Sequence, residues 1–313
     1  GQAAVESIVQ ARKEGGNFAS LFDFCRRVDR QVVNKRTIEA LIRAGAFDSV
    51  EENRAALLTS LGHAVEAAEQ VARNANQASL FDDSGTDEIV ESELARVRPW
   101  DLQTKLREEK TAIGFYFSAH LFDAWRDEVR RFAPRPLAKL EPSRSPQWFA
   151  GVLASVRVRM TRRGKMLYAL LDDGSAQVEV SIFNEVFEAN KQHLREDQLV
   201  IIQGKVSHDD YTGGLRVTAD EILSLQGARE ARARSLSLVL KDNQDVQRLR
   251  QVLNPFRAEP ENNIPGVWVD VQIHHPDYSC TVRLGDEWRV RLADSMFVQI
   301  ADWLGEDAME IGY

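Results

Sequence analysis

The sequence predicts a multidomain protein with an all-α region first, an all-β barrel second and a small α+β domain last. Three changes of pattern predict this order. Apolar residues recur at helical spacing up to about residue 75, and they alternate with period two across residues 147–226. Strand-like and helix-like segments then alternate over residues 227–313. A run of four prolines marks the boundary before the β region: Pro134, Pro136, Pro142 and Pro146.

Composition narrows the class of protein. The 313 residues allow two or three domains, and 43% hydrophobic with 28% charged residues is typical of a soluble folded chain. The net charge of −8 argues against coating nucleic acid with the whole surface but permits local basic strips. No apolar run is long enough to span a membrane. Cys25 and Cys280 are not in a CxxC arrangement, so we expect free thiols and a cytoplasmic location. The start at Gly1-Gln2 instead of Met is typical of a fragment or a processed chain.

No pattern of catalytic residues stands out. The six histidines are scattered without metal-ligand spacing, and the sequence contains none of the common phosphate-loop, dinucleotide, nucleophile-elbow or zinc-protease motifs. The pairs Asp172-Asp173 and Asp209-Asp210 are candidate metal carboxylates. A glycine follows each pair within a few residues, which favours turns between strands. We therefore predict no catalytic residue and no metal site.

Helical segments are expected throughout residues 1–76. Gly15-Gly16 ends the first, and Asn34 is the expected N-cap of a helix that stops at residues 44–47. A long helix should begin at about Glu52 and carry one apolar stripe: Leu57, Leu61, Val65, Ala68 and Ala72.

Residues 38–47 resemble a helix-hairpin-helix element. Gly45 permits a tight turn with positive φ, and backbone N–H groups at the start of the next helix can meet a phosphate. The alternative is an ordinary turn of a helical bundle with a solvated charged face. The DNA interpretation predicts a set of duplex contacts: Lys35, Arg36, Arg43, Gly45 and Arg54.

Residues 77–98 are predicted to be an exposed peptide followed by an acidic linker. The peptide Gln77-Ala78-Ser79-Leu80-Phe81-Asp82 places two adjacent large apolar side chains on a loop-like segment, which is typical of a docking peptide. Residues 99–146 are expected to form a helical connector opened by Pro99. Its aromatic run at residues 115–117 is interpreted as buried helical core, with base stacking as the alternative.

The β region, residues 147–226, has the element order of an OB fold, a small five-stranded barrel. The first strand alternates over residues 149–159. The remaining predicted elements follow it closely: strands at 166–171 and 177–183, a helix at 184–194, and strands at 199–206 and 215–225.

Residues 157–165 are predicted to form the first hairpin loop of this barrel, with five basic residues and no acidic one. OB barrels bind single strands on strands two and three and through such loops. The predicted single-strand contacts are Arg157, Arg159, Arg162, Arg163 and Lys165, with Tyr168 and Phe183 as stacking partners. The alternative is a solvated hairpin on a structural barrel, and the acidic pair Asp209-Asp210 counts against a uniformly positive groove.

The last region, residues 227–313, is predicted to begin with a charged connector at 227–234. A small α+β domain follows. Its strands are expected at 236–240, 267–274, 280–284 and 288–290, and its helices at 245–253 and 296–304. Near the end, spacing does not separate core from partner-facing roles for three side chains: Trp303, Ile311 and Tyr313.

In this order, the segments resemble the C-terminal region of the alpha subunits of bacterial replicative DNA polymerase III, the C-family DNA polymerases. Where that family usually has Gly-His-Pro, this chain has Ala119-His120-Leu121, so the local turn differs. The segments that carry the resemblance are 1–12, 18–25, 34–36, 42–48, 54–57, 77–81, 108–120 and 206–215, with Asp172-Asp173 and Phe183.

The resemblance implies a non-catalytic part of a DNA-directed DNA polymerase that supports processive chromosomal replication. The family's catalytic palm and PHP domain are not recognisable here, so Mg²⁺ and deoxynucleoside triphosphates are expected only at the polymerase site of the whole subunit, and no cofactor is expected in this chain. The implied partners are primed DNA, the sliding clamp (the beta subunit) at Gln77, Ser79, Leu80 and Phe81, and the clamp-loader tau subunit at the last domain, through Trp303, Ile311 and Tyr313.

Two alternatives remain. One is a free-standing OB-fold nucleic-acid-binding protein directed at tRNA. The other is an interaction scaffold whose barrel does not bind DNA.

Overall fold

The computed structural model describes residues 1–78, 93–161, 164–208, 214–241, 246–259, 266–275 and 278–313. The chain forms two compact units, Gly1–Ala124 and Trp125–Tyr313. Their boundary falls inside the predicted helical connector. The predicted fold class is confirmed, with a helical N-terminus followed by a closed β barrel and a small C-terminal region of strands and helices.

The first unit is built from helices whose ends follow local capping chemistry. Asn34 caps the third helix by accepting the Thr37 N–H, as predicted, and Asp101 caps the fifth by accepting that of Thr104. Pro99 therefore precedes the fifth helix instead of opening it. The helices are α1 (Gln2–Gly15), α2 (Leu21–Arg27), α3 (Lys35–Arg43), α4 (Arg54–Ala78) and α5 (Leu102–Ile113).

The core of this unit forms where α2, α3 and α4 meet. Leu57 and Leu61 of the predicted stripe are fully buried, whereas Ala72 is exposed. Leu94 packs against the same core, and the Ala95 N–H donates to Ser60 Oγ at 2.8 Å. The described end of the predicted acidic linker, residues 93–98, therefore includes residues held against the helical core.

A buried arginine joins three parts of this unit. Arg54, only 3% exposed, donates to the Asp48 carboxylate at 2.6 Å and to Glu109 Oε1 at 2.8 Å. Glu109 lies on α5 and also accepts the N–H groups of Phe117 and Ser118. Burial alone would raise the pKa of Glu109, but these hydrogen bonds and that of Arg54 lower it to about 2.

The aromatic run after α5 corrects one prediction. Gly114 ends the helix in the left-handed conformation, with φ of 88°, so the chain leaves the helix before the aromatic residues. Phe115 and Phe117 are 57% and 72% exposed. The interpretation of this run as buried helical core was therefore wrong for both phenylalanines.

Replacing Arg54 by Ala should destabilise the first unit by about 3–5 kcal/mol, because Glu109 would remain buried without its cation. Urea unfolding of the chain measures this loss. Arg73→Ala is the matched control, since Arg73 lies on the same helix and its side chain is 69% exposed. Equal stability of the two variants would contradict the role assigned to Arg54.

The second unit begins with α6 (Arg126–Val129) and continues into a closed barrel with strand order β1-β2-β3-β5-β4. Alternate side chains of the strands fill its interior, and Phe149, Leu167 and Ile202 are fully buried. The predicted order of strands and helix is confirmed: β1 (Gln147–Thr161), β2 (Gly164–Asp172), β3 (Gln177–Phe183), α7 (Asn184–Asn190), β4 (Leu199–His208) and β5 (Leu215–Leu223).

The turn between β2 and β3 is held by a buried carboxylate. Asp173 is fully buried and accepts from Arg130 at 2.7 Å and from the Leu137 N–H at 3.0 Å. Burial alone would raise the pKa of Asp173, but hydrogen bonds from Ser175, Arg130 and Leu137 lower it to about 2. Asp172-Asp173 thus forms the predicted turn between strands.

The depressed pKa of Asp173 predicts acid sensitivity. Its contribution to stability should be complete above the ordinary pKa of 3.8 and should disappear as the pH falls toward 2. Asp173→Asn should lower stability at pH 7 and flatten the dependence between pH 4 and 2, measured as urea midpoints. Asp220→Asn, at an exposed position on β5, is the control. The same pH dependence in both variants would contradict the prediction.

The C-terminal domain is a sheet of order β8-β7-β6-β9, in which β6 and β7 are parallel. Its core includes Leu236, Leu238, Leu253 and Ile300. The elements are α8 (Leu225–Arg232), β6 (Ser235–Lys241), α9 (Val246–Leu253), β7 (Trp268–His275), β8 (Tyr278–Arg283), α10 (Asp294–Leu304) and β9 (Met309–Gly312).

Two predictions in this region were wrong. Residues 227–234, predicted as a charged connector, lie mostly in α8. Residues 288–290, predicted as a strand, comprise the end of a 3-10 turn and Val290, which makes isolated bridges to Arg257 and Val267. The first segment was predicted as a connector because it is rich in charged residues, but one of them, Arg229 on α8, is buried.

That residue, Arg229, organises the polar contacts of the second unit. It is 7% exposed and donates to both oxygens of Glu128, at 2.6 and 2.8 Å, and to Asp294 at 2.5 Å. The Tyr313 hydroxyl donates to Glu128 at 2.5 Å, and the Arg229 guanidinium carbon lies 4.7 Å from the ring centroid of Phe297. Helices α6, α8 and α10 and the last residue therefore meet at one buried cation.

Candidate nucleic-acid interface

Strand register gathers four of the predicted single-strand contacts on the outer surface of β1, β2 and β3. Arg157 lies opposite Tyr168, and Arg159 lies opposite Met166, which in turn lies opposite Phe183. Residues directly opposite each other in neighbouring strands share a face, and so do alternate residues of one strand. Arg157, Arg159, Tyr168 and Phe183 therefore lie on one surface, which we call the cationic face.

The cationic face combines charge with flat aromatic rings. Arg157 and Arg159 are exposed, and Phe183 is 44% exposed. The guanidinium carbon of Arg159 lies 5.6 Å from the ring centroid of Tyr168, within cation–π range. A guanidinium presents paired donors to phosphate oxygens, and an aromatic ring offers a stacking surface to a base. This combination suits a single nucleic-acid strand.

The structure corrects the predicted hairpin loop at residues 157–165. β1 continues to Thr161 and β2 begins at Gly164, so residues 157–161 and 164–165 extend the two strands as a ribbon. Lys165 lies opposite Met160, hence on the other face of the ribbon, and its Nζ is 3.7 Å from Glu188. Arg162 and Arg163 lie outside the described residues.

Sequence reasoning missed two further strands of this surface. Ser181 on β3 lies opposite Thr218 on β5, and Thr218 lies opposite Lys205 on β4. The row that starts at Arg157 and Tyr168 thus continues around the barrel and gains a second exposed cation. Lys205 occupies an outward alternate position of its strand, but only the parallel pairing of β3 with β5 reveals which residues it joins.

Some of the residues predicted to contact duplex DNA are exposed, and the others make contacts within the helical unit. Lys35 and Arg36 are exposed in the first turn of α3. Arg43 forms an ion pair with Glu108, and the Gly45 N–H donates to the Ile42 carbonyl and so helps to end α3.

The structure corrects the prediction that Arg54 contacts duplex DNA, because its guanidinium is buried in the network with Asp48 and Glu109. Gly45 has φ of 82°, and a side chain there would collide with that guanidinium. Gly45 and Arg54 thus serve the packing of the helical unit.

The structure describes only some of the residues that are predicted to contact protein partners. Gln77 belongs to the last turn of α4, while Ser79, Leu80 and Phe81 lie outside the described residues. Trp303 and Ile311 pack against the C-terminal core, and Tyr313 packs edge-on against Phe132 with ring centroids 5.4 Å apart. All three side chains pack within this region and are half-buried, so their positions are compatible with both predicted roles.

Other site chemistries have little support in the part of the chain that the structure describes. Among those residues, no group of three or more His, Cys, Asp or Glu side chains is arranged to hold a metal ion. No helix among them is both long and apolar enough to cross a membrane. Cys25 and Cys280 are free thiols, as predicted, and burial raises the pKa of Cys25 to about 11.

Comparison with protein families agrees with both folds. A model of the helix-hairpin-helix motif matches residues 1–57, and a model of the OB-fold nucleic acid binding domain matches residues 147–225. Fold and site together define a chain that combines a helix-hairpin-helix region with an OB-fold module of the nucleic-acid-binding class.

Individual related proteins indicate a narrower class than the two family models do. The full length of this chain is 42% identical to part of the DNA polymerase III subunit alpha of Neisseria meningitidis serogroup A, 36% to that of Pseudomonas aeruginosa and 34% to that of Escherichia coli K12. It spans only 27–28% of the length of these proteins. The resemblance to the C-terminal region of the bacterial DNA polymerase III alpha subunit is confirmed.

The match to a solved structure is weak. The yeast mitochondrial single-stranded DNA binding protein Rim1 matches 26% of this chain and 95% of its own, with 17% identity and a TM-score of 0.23. A likeness this weak gives no information about function.

Proposed function

We propose that this chain is the non-catalytic C-terminal part of a replicative DNA polymerase III alpha subunit and that its barrel holds single-stranded template DNA on the cationic face. The observation that carries the proposal is the placement of Arg157, Arg159, Tyr168 and Phe183 on one surface. Each base stacked on an aromatic ring contributes about 1–3 kcal/mol, and each neutralised phosphate adds a salt-dependent term. The barrel alone should therefore bind moderately and without strong sequence preference.

Arg157→Ala combined with Arg159→Ala should weaken single-strand binding about tenfold or more, because two phosphate partners are lost. The slope of log affinity against log salt should fall by about 1.4, since each phosphate contact on a single strand contributes about 0.7. Fluorescence anisotropy with a labelled oligothymidylate at several salt concentrations measures both quantities.

The matched control removes two exposed arginines that lie outside the barrel strands, Arg144→Ala with Arg195→Ala. This control equalises the change in net charge. Unchanged binding in the Arg157/Arg159 variant would favour the scaffold alternative. Tighter binding of structured tRNA than of single-stranded DNA would favour the tRNA-directed alternative.

We further propose that Gln77, Ser79, Leu80 and Phe81 tether the chain to the sliding clamp. Support comes from the sequence pattern and from the position of the peptide between the helical region and the barrel. Burial of Leu80 and Phe81 in a clamp groove would contribute about 3–6 kcal/mol. Ordering each peptide residue costs about 1–2 kcal/mol, so the peptide alone should bind at about micromolar affinity or weaker.

Leu80→Ala with Phe81→Ala should abolish measurable binding to a purified bacterial sliding clamp while leaving the unfolding transition unchanged. Surface plasmon resonance with immobilised clamp gives the affinity. Val5→Ala with Val71→Ala is the control, because these valines are 60% and 42% exposed and lie outside the peptide. Clamp affinity equal to wild type in the Leu80/Phe81 variant would refute the tether.

Two further partners enter the proposal through the resemblance. The C-terminal domain would bind the clamp-loader tau subunit, with the accessible parts of Trp303, Ile311 and Tyr313 as contacts. Lys35 and Arg36 would contact duplex DNA.

In this proposal the chain needs no cofactor of its own, and Mg²⁺ serves the polymerase site of the whole subunit, in the cytoplasm. Together, the weak contacts with clamp, tau and primed DNA would support processive synthesis through avidity.

A further inference from the structure

The second unit contains an open cavity where the edge strand β9 meets α6 and α10. Its volume is about 570 Å³, which is within the range of ligand-binding pockets. Met309 and Ile311 of β9 and Phe297 of α10 line the cavity, and all three also pack against the core of the C-terminal domain. The cavity, which we call the edge cavity, therefore opens onto part of that core at the edge of the sheet.

The buried polar groups of the edge cavity are already satisfied by one another. Arg229 donates to Glu128 and to Asp294. Tyr313 also donates to Glu128. Burial and the hydrogen bond to Glu128 raise the pKa of the Tyr313 hydroxyl, so it remains a donor at neutral pH. An occupant therefore needs no charge beside these groups, and an apolar side chain can fill the space along the three apolar lining residues.

The exposed rim of the edge cavity carries an excess of negative charge. Asp127 and Glu310 are its exposed carboxylates, and Arg131 is an exposed cation beside them. Arg131 lies 3.5 Å from Glu310, while no described side chain forms an ion pair with Asp127. The side chain of Asp294, which contacts the lining residue Arg229, is 82% exposed. Charge complementarity thus favours a ligand with a cation next to its apolar part.

We propose that the edge cavity binds a peptide segment of a protein partner, in which a large apolar side chain enters the cavity and an adjacent Lys or Arg meets Asp127. This inference rests on the proposed function, because it assigns the contact with the clamp-loader tau subunit to one site of the C-terminal domain. Ile311 and Tyr313 line this site, whereas Trp303 does not. The apolar side chain completes the core that β9 leaves open, and the ion pair orients the segment.

The test measures binding of the full chain to a purified bacterial tau subunit by isothermal titration calorimetry. Met309→Gln nearly keeps the shape of the side chain but removes its apolar character, and it should weaken binding about tenfold. Asp127→Lys reverses the charge at an exposed position and should weaken binding about tenfold at low salt and less at high salt. Val298→Thr and Asp286→Lys are the matched controls, because both residues are exposed and lie outside the cavity.

Urea unfolding checks that every variant folds, and Asp127→Lys decides the test if Met309→Gln is unfolded. If wild type binds tau and the cavity variants bind equally well, the inference is overturned and the proposed tau contact stands. Equal weakening by the controls, or loss of binding in Trp303→Ala alone, overturns it in the same way. Self-association of the chain that Met309→Gln abolishes, with tau binding unchanged, would make a second copy the occupant and also overturn it. Failure of wild type to bind tau refutes the proposed tau contact itself, and the inference with it.

Discussion

The pairing register between β1 and β2 is the constraint on which the candidate interface depends. Leu153 pairs with Leu171 while Ser155 pairs with Leu170, so Ala154 is an extra residue in β1. An extra residue exchanges the faces of every side chain that follows. Leu153 points into the barrel core, and after the extra residue Val156 does so. If Ala154 instead paired with Leu170 in regular register, Arg157 would lie opposite the buried Leu167 and, like Arg159, would point toward the core, where an unpaired charge is costly.

Buried arginines impose a second constraint, and they define the limit of sequence reasoning. Arg54 pairs with Glu109, 55 positions away, and Arg229 pairs with Glu128, 101 positions away. On the sequence alone, both arginines belong to charged surface segments, which led to the predictions of a DNA contact and a connector. Desolvating a guanidinium is tolerated only when carboxylates surround it. Asp48 is near Arg54 in sequence, but Glu109, Glu128 and Asp294 come from distant parts of the chain, so no local pattern indicates the burial.

Local patterns predicted most of the elements and failed where a stretch of residues fitted two structures. Period-two alternation located the barrel strands because each strand has one face in the core. The stretch from Arg157 to Lys165 carries many charges, since both faces of a ribbon beyond the rim are solvated, and it was therefore predicted as a loop. Phe115 and Phe117 were predicted as core because large aromatics usually are. The left-handed turn at Gly114 ends the helix before these residues and leaves both rings exposed. A single glycine after a helical segment is only a modest indication of such a helix end.

The register of β1, β2 and β3 also fixes how the parts of the cationic face are arranged. Its two arginines and two aromatic rings lie on neighbouring strands of one barrel, so their relative positions are set by the pleat and the register. A single strand held by Arg157 and Arg159 therefore lies beside Tyr168 and Phe183. In the proposed function, phosphate contact and base stacking are then geometrically linked without any conformational change. Substitutions that preserve the register can alter either contact alone, whereas pairing of Ala154 in regular register would turn Arg157 and Arg159 inward together.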